Sequence, residues 1–133
     1  MADNDFAGSA ELLMNVTIYH NPGCSKSRKS LELLESRGIA PKIIEYLRDP
    51  PNAETLQTLA RLLDKPLQDI LRKAETEFVD AGNSIPLHDD DLLADWLHKH
   101  PRVLQRPIVV NEDSSSAVIG RPPENIFEIL GSD

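Results

Sequence analysis

The chain carries one cysteine, Cys24, set among residues of the kind that make a thiol reactive. It follows the run Val16-Thr17-Ile18-Tyr19-His20 and the breaker Asn21-Pro22-Gly23. The β-branched and aromatic run predicts a strand. The segment from about Ser25 to Arg37 predicts a helix, with Leu31, Leu34 and Leu33 as its buried face and Gly38 as its stop. A thiol between the two meets unpaired backbone N–H groups and the positive end of the helix dipole, both of which favour an anion. Lys26, Arg28 and Lys29 add positive charge within the first two turns. An unperturbed cysteine is about 3% thiolate at pH 7, and two units of pKa depression make it about three-quarters thiolate. The expected chemistry is nucleophilic attack by Cys24.

Cys24-Ser25-Lys26-Ser27 has the spacing of a C-x-x-C redox motif with serine in the second place. The Ser27 hydroxyl either hydrogen-bonds the sulfur across one helical turn or is a solvated helix residue. In neither case can it resolve a mixed disulfide, so an oxidised Cys24 requires an outside thiol. One cysteine also excludes an internal disulfide and a zinc site built from several cysteines. Asp89-Asp90-Asp91 suits the acidic start of a helix better than a metal cluster. His98 and His100, two apart on a helix, do not share a face. No metal site is expected.

The elements that must position Cys24 follow from the rest of the pattern. Lys42-Ile43-Ile44-Glu45-Tyr46-Leu47 reads as a second strand, completing a βαβ unit and a parallel pair. Asn52 suits the N-cap of a helix carrying Leu56, Leu59, Ala60 and Leu63 on one face. A short helix is expected from Pro66 to Lys73, irregular chain over residues 74–88, and a helix capped by Asp89 with Leu92, Leu93, Trp96 and Leu97 inward. Pro107-Ile108-Val109-Val110 and Ala117-Val118-Ile119 predict an antiparallel strand pair. Pro122-Pro123-Glu124 opens a last helix burying Ile126, Phe127 and Leu130. With the middle helices removed, β-α-β followed by β-β-α is the α/β order of a thioredoxin-like fold, a four-stranded mixed sheet with a helical insertion of about three helices. The expected organisation is an N-terminal extension over residues 1–15 and a single domain over 16–133, with the insertion at about 52–100.

The formal charge of −8 on 133 residues argues against nucleic-acid binding, which rests on basic surface. It does not exclude an anionic substrate, because screening limits exposed charges to about 8 Å at physiological salt and a local arginine cluster dominates its own surroundings. Arg106 and Arg121 each precede a proline at an element boundary, where functional residues gather. No apolar run approaches the roughly 18 residues of a membrane span. The start Met1-Ala2-Asp3-Asn4-Asp5 is acidic, unlike a secretory signal, so a cytoplasmic location is expected.

At this point the sequence resembles a family. Tyr19-His20-Asn21-Pro22-Gly23-Cys24-Ser25-Lys26-Ser27-Arg28 is similar to the active-site signature of the glutaredoxin-dependent arsenate reductases, the ArsC family, and of their arsenate-reductase-like subgroup. Leu71-Arg72-Lys73, Arg106-Pro107-Ile108-Val109-Val110 and Ile119-Gly120-Arg121-Pro122-Pro123-Glu124 resemble three further family motifs in the same order, and the likeness runs from about Val16 to Leu130. The resemblance implies that Cys24 attacks arsenate and holds it covalently. Glutathione as co-substrate and glutaredoxin as reductase then return it as arsenite, with no bound cofactor. It implies that Arg72, Arg106 and Arg121 bind the oxyanion, which guanidinium forks suit by geometry and charge. It places His20 near the nucleophile, where a protonated ring favours the thiolate and a strand-end ring bonded to backbone does not. Asn21 either orients the loop or is a plain turn residue. Pro107 matches the cis-proline facing the active site in thioredoxin-like folds, which predicts a cis Arg106–Pro107 bond.

One competing reading is excluded and two remain. A phosphatase-like arsenate reductase needs arginine at the sixth residue after the cysteine, and that residue is Ser30. A regulator of the Spx type, binding RNA polymerase, commonly has a second cysteine where this chain has Ser27. A glutathione-linked thiol–disulfide oxidoreductase acting on another substrate would use the same thiol.

Overall fold

The structure, a computed structural model, describes residues 14–131. Most of the expected N-terminal extension, residues 1–13, lies outside the described residues. The elements are β1 (Val16–His20), α1 (Ser25–Ser36), β2 (Lys42–Glu45), α2 (Ala53–Leu62), α3 (Thr76–Ala81), α4 (Asp90–Lys99), β3 (Ile108–Asn111) and β4 (Ser116–Ile119). Short 3-10 turns lie at Leu67–Ile70, Gly82–Ser84 and Pro101–Val103, and a longer 3-10 helix runs over Pro123–Ile129. The chain forms two compact units. One holds the sequence as far as Ile44 and again from Arg106; the other spans Glu45–Gln105.

In the first unit the strands lie in the order β2-β1-β3-β4. β1 runs antiparallel to β3, with Tyr19 opposite Ile108 and Val16 opposite Asn111. β3 runs antiparallel to β4, with Ile108 opposite Ile119. β1 and β2 are neighbours joined through α1, the crossover of a parallel pair. This is the mixed four-stranded sheet expected. The tight β3–β4 connection is closed by Asn111, whose Oδ1 accepts the Asp113 and Ser114 N–H groups at 3.0 and 3.4 Å.

One core cluster joins these elements: Val16, Ile18, Leu34, Ile39, Val109 and Ile126, among others, are buried together. α1 meets it differently from the leucine stripe the sequence suggested. Its buried residues are Ser27, Ser30 and Leu34, spaced three and four apart, while Leu31 and Leu33 are only partly buried against the cluster. Two serines on the inward face let the neighbouring chain approach the helix closely. Gly38, at φ 77, ends α1 in the left-handed region that glycine tolerates best. The last segment winds as a 3-10 helix rather than an α-helix. It still buries Ile126 and Leu130, and Phe127 lies partly exposed with the Arg37 guanidinium 4.2 Å above its ring. Leu34 has no exposed surface. Leu34→Ala is expected to cost about 2–5 kcal/mol, measured as the shift in urea-unfolding free energy.

In the second unit Asn52 caps α2, accepting the Thr55 N–H at 2.8 Å, and Asp89 caps α4, accepting the Leu92 N–H at 3.1 Å. α2 packs on α4, with Leu56, Leu59, Leu93 and Leu97 buried. Leu92, expected inward, is exposed at 54%. It follows the cap by three residues and stands about 100° round the helix from Leu93, outside the face that buries Leu93 and Leu97. The helix expected over 66–73 is only the 3-10 turn Leu67–Ile70, stopped because Leu71 turns extended and bridges Leu104. Conversely, residues 74–88, expected to be irregular, contain α3, whose Phe78 meets the Trp96 ring edge-on at 6.5 Å. A six-residue helix spans too little of the 3.6 period to announce itself. Among the described residues no helix is long and apolar enough to cross a membrane.

Candidate active site

The strand register brings three sequence-distant loops to one end of the sheet. Tyr19, Ile108 and Ile119 lie side by side, so the exit of β1, the entry to β3 and the exit of β4 meet there. Those three loops carry Cys24, Arg106-Pro107 and Gly120-Arg121. The Gly120 N–H extends the pairing by donating to the Pro107 carbonyl at 2.9 Å. The Arg106–Pro107 peptide bond is cis, as predicted, and Arg121–Pro122 is cis as well, which the sequence reading did not anticipate.

Cys24 is the N-cap of α1, with extended backbone at φ −103 and ψ 123, and is partly exposed. Its loop is built from local hydrogen bonds. The Cys24 N–H donates to the Asn21 carbonyl and the Gly23 N–H to Asn21 Oδ1, each at 2.9 Å. Asn21 thereby orients the turn with both its backbone and its side chain. The Asn21 N–H donates to Ser27 Oγ at 2.9 Å, and Ser27 Oγ is also hydrogen-bonded to His20 Nδ1 at 2.6 Å. The Ser27 hydroxyl therefore ties loop to strand, and it is the Ser27 backbone amide that favours the sulfur anion. His20, buried at the end of β1, touches the loop through Ser27. Arg28 donates from Nη1 to the Pro22 carbonyl at 2.8 Å.

Two arginines reach the thiol. Arg121 donates from Nη2 toward Cys24 Sγ at 3.5 Å, while its Nε holds the Arg106 carbonyl at 2.7 Å. The Arg106 side chain supplies a further donor to the sulfur. Burial by itself would raise the thiol pKa. The backbone amides of Ser27 and Lys26, the Arg106 donor and the Arg121 charge outweigh it, and the Cys24 pKa lies below its ordinary value. Arg72 belongs to the second unit. Its N–H donates to the Val103 carbonyl at 2.6 Å and its guanidinium lies 3.5 Å from Glu75. Among the described residues no group of three or more His, Cys, Asp or Glu side chains is arranged to hold a metal ion.

The sheet order and the helix-capping thiol define a thioredoxin-like α/β protein with one accessible, anion-favouring cysteine. Comparison with known proteins narrows the class. A family model described as the ArsC family matches residues 19–129. The arsenate reductase of Haemophilus influenzae is 42% identical over 121 residues, covering 88% of this chain and 100% of that protein. The uncharacterized protein YfgD of Escherichia coli K12 is 37% identical over 117 residues, covering 87% of this chain and 97% of its own. The solved structure of an arsenate reductase from Vibrio cholerae matches with a TM-score of 0.81 at 42% identity, covering 88% of this chain and 98% of that one. The chain belongs to the ArsC family.

Proposed function

We propose that the protein is a cytoplasmic arsenate reductase that works through a Cys24–arsenic adduct and draws its electrons from glutathione and glutaredoxin. The observation that carries this is the Arg121 guanidinium at 3.5 Å from a thiol at the mouth of α1. The same donors that favour the thiolate suit a tetrahedral oxyanion bonded to it, because charge passes from sulfur to the oxygens as the bond forms. The family's arsenate reductases support the choice of substrate.

In the proposed sequence the Cys24 thiolate attacks As(V) and an arsenate oxygen leaves as water after protonation. Arg121 and Arg106 hold the remaining oxygens. A glutathione thiol replaces a second oxygen, which also leaves as water. The glutaredoxin thiolate then attacks the glutathione sulfur. The S–As bonding pair stays on arsenic, which becomes As(III), and the glutathione leaves as a mixed disulfide with glutaredoxin. Hydrolysis of the Cys24–As(III) bond frees arsenite and restores the thiol. Ser27 cannot take the resolving step, since it has no sulfur to attack with. Arg72 is assigned to the oxyanion by family resemblance, and Arg72→Ala tests that assignment by its effect on KM for arsenate.

The experiment is arsenate reduction with glutathione and glutaredoxin, run beside a glutathionylated peptide as the competing substrate. Arsenite formation that needs both glutathione and glutaredoxin supports the proposal. Peptide deglutathionylation without arsenite formation overturns it in favour of a thiol–disulfide oxidoreductase. Arsenite formation that proceeds with thioredoxin and not with glutaredoxin overturns the reductase assignment.

A further inference from the structure

We infer that Gly120 is a positioning residue for the reacting thiol: by lacking a side chain it lets the exit of β4 lie against Ser30 of α1 and against Pro107, and that approach sets the Arg121 guanidinium on Cys24. A Cβ at Gly120 would stand 2.4 Å from Ser30 Oγ, 2.9 Å from Pro107 Cγ and 3.4 Å from Ser30 Cβ. The first two are closer than real side-chain carbons come, and the atoms opposing them have little room to yield. Ser30 has no exposed surface and sits on a helix, and Pro107 is a ring at the head of a buried strand. Gly120 carries no positive φ, so close approach, and not backbone freedom, is what requires glycine there.

The segment after Gly120 has little slack. The Gly120 N–H is fixed on the Pro107 carbonyl at 2.9 Å. Arg121 Nε is fixed on the Arg106 carbonyl at 2.7 Å, and Asn125 Nδ2 donates to the Arg121 and Ile119 carbonyls at 3.1 and 3.3 Å. A side chain that lifts Gly120 from α1 therefore carries Arg121 with it, and the 3.5 Å contact to Cys24 Sγ is the next to lengthen. The Ser30 hydroxyl makes no hydrogen bond among the described residues although it is buried. Its Oγ is the nearest atom to the Cβ that Gly120 lacks. It can be removed without breaking a bond that holds the site, which provides a compensating variant.

This inference rests on Cys24 being the reacting group, but its test reads the thiolate directly and needs no substrate. The rate of Cys24 alkylation by iodoacetamide is measured against pH, with folding checked by circular dichroism. Gly120→Ala is expected to slow alkylation at pH 7 by about three- to tenfold and to move the midpoint of the pH profile upward. Ser30→Ala alone is expected to alkylate like the unaltered protein. The double variant Ser30→Ala/Gly120→Ala is expected to lie between the two, because Pro107 Cγ still opposes the new methyl. A folded Gly120→Ala protein with an unchanged profile overturns the inference. If Gly120→Ala does not fold, the double variant decides, and alkylation as fast as in Ser30→Ala overturns it. A protein that forms no arsenite yet shows these shifts would overturn the proposed substrate and leave the role of Gly120 standing.

Discussion

Cys24→Ser is expected to abolish arsenate reduction while the protein keeps its fold. The substitution replaces sulfur by oxygen at a partly exposed cap position, so it leaves the core intact. It removes the only atom among the site residues able to form the S–As bond and be regenerated by thiol exchange. A serine hydroxyl stays protonated at neutral pH, and the amides and guanidinium groups around it cannot change that. The measurement is arsenite formation under saturating glutathione and glutaredoxin, with thermal unfolding as the control for the fold. Turnover near that of the unaltered protein would remove Cys24 from the chemistry altogether.

The second large effect is expected at the arginines. Arg121→Ala removes the guanidinium at 3.5 Å from the sulfur together with the Nε contact to the Arg106 carbonyl. Two consequences follow in the same direction. The thiolate loses a stabilising charge, so the Cys24 pKa rises. The adduct loses a donor to its oxygens, a loss worth about 10²–10³-fold in rate at comparable oxyanion sites. The expected result is a fall of about 10²-fold or more in kcat/KM for arsenate, with the acid limb of the pH–rate profile displaced toward higher pH. Arg106→Ala is expected to act in the same sense. Arg37→Ala, which removes the contact over Phe127, is expected to leave the thiol titration unchanged. An Arg121→Ala protein with the original profile and affinity would show that the contact is incidental.

The sign of the pH dependence follows from the direction of the Cys24 shift. The folded protein holds the thiol pKa below its unfolded value. The thiolate therefore contributes stability that is fully present above the ordinary thiol range and is lost as pH falls through the depressed folded value. Cys24→Ser lacks that dependence. Reactivity follows the same limb, persisting into the range in which an ordinary cysteine would already be protonated.

The sequence foretold the sheet and the thiol because both rest on strong local signals. Val16–His20 is unbroken β-branched and aromatic chain, Asn21-Pro22-Gly23 stops it, and a helical pattern begins just after Cys24. The inward face of α1 was not legible, because Ser27 and Ser30 are buried for reasons that lie elsewhere: one ties the loop through His20 and Asn21, and the other faces Gly120. Helical periodicity favours leucines for an inward stripe and has no rule for a serine packed where another strand passes close by. The division of labour at Ser27 was hidden for a similar reason. Spacing places its side chain one turn from the sulfur, but the nearby His20 ring and Asn21 amide hold that hydroxyl. Arg106 and Arg121 were singled out by their prolines, and only the register Tyr19–Ile108–Ile119 explains why residues that far apart in sequence share one thiol.

The ionisation of Cys24 is the quantity on which all of this depends, and it can be measured directly from the thiolate absorbance near 240 nm, taken as the difference between the unaltered protein and Cys24→Ser across the pH range. The arrangement of amides and guanidinium groups predicts a single step with its midpoint below the ordinary cysteine value of about 8.5, and a higher midpoint once Arg121 is replaced by alanine. A midpoint at or above the ordinary value, or one that does not respond to that replacement, would contradict the account.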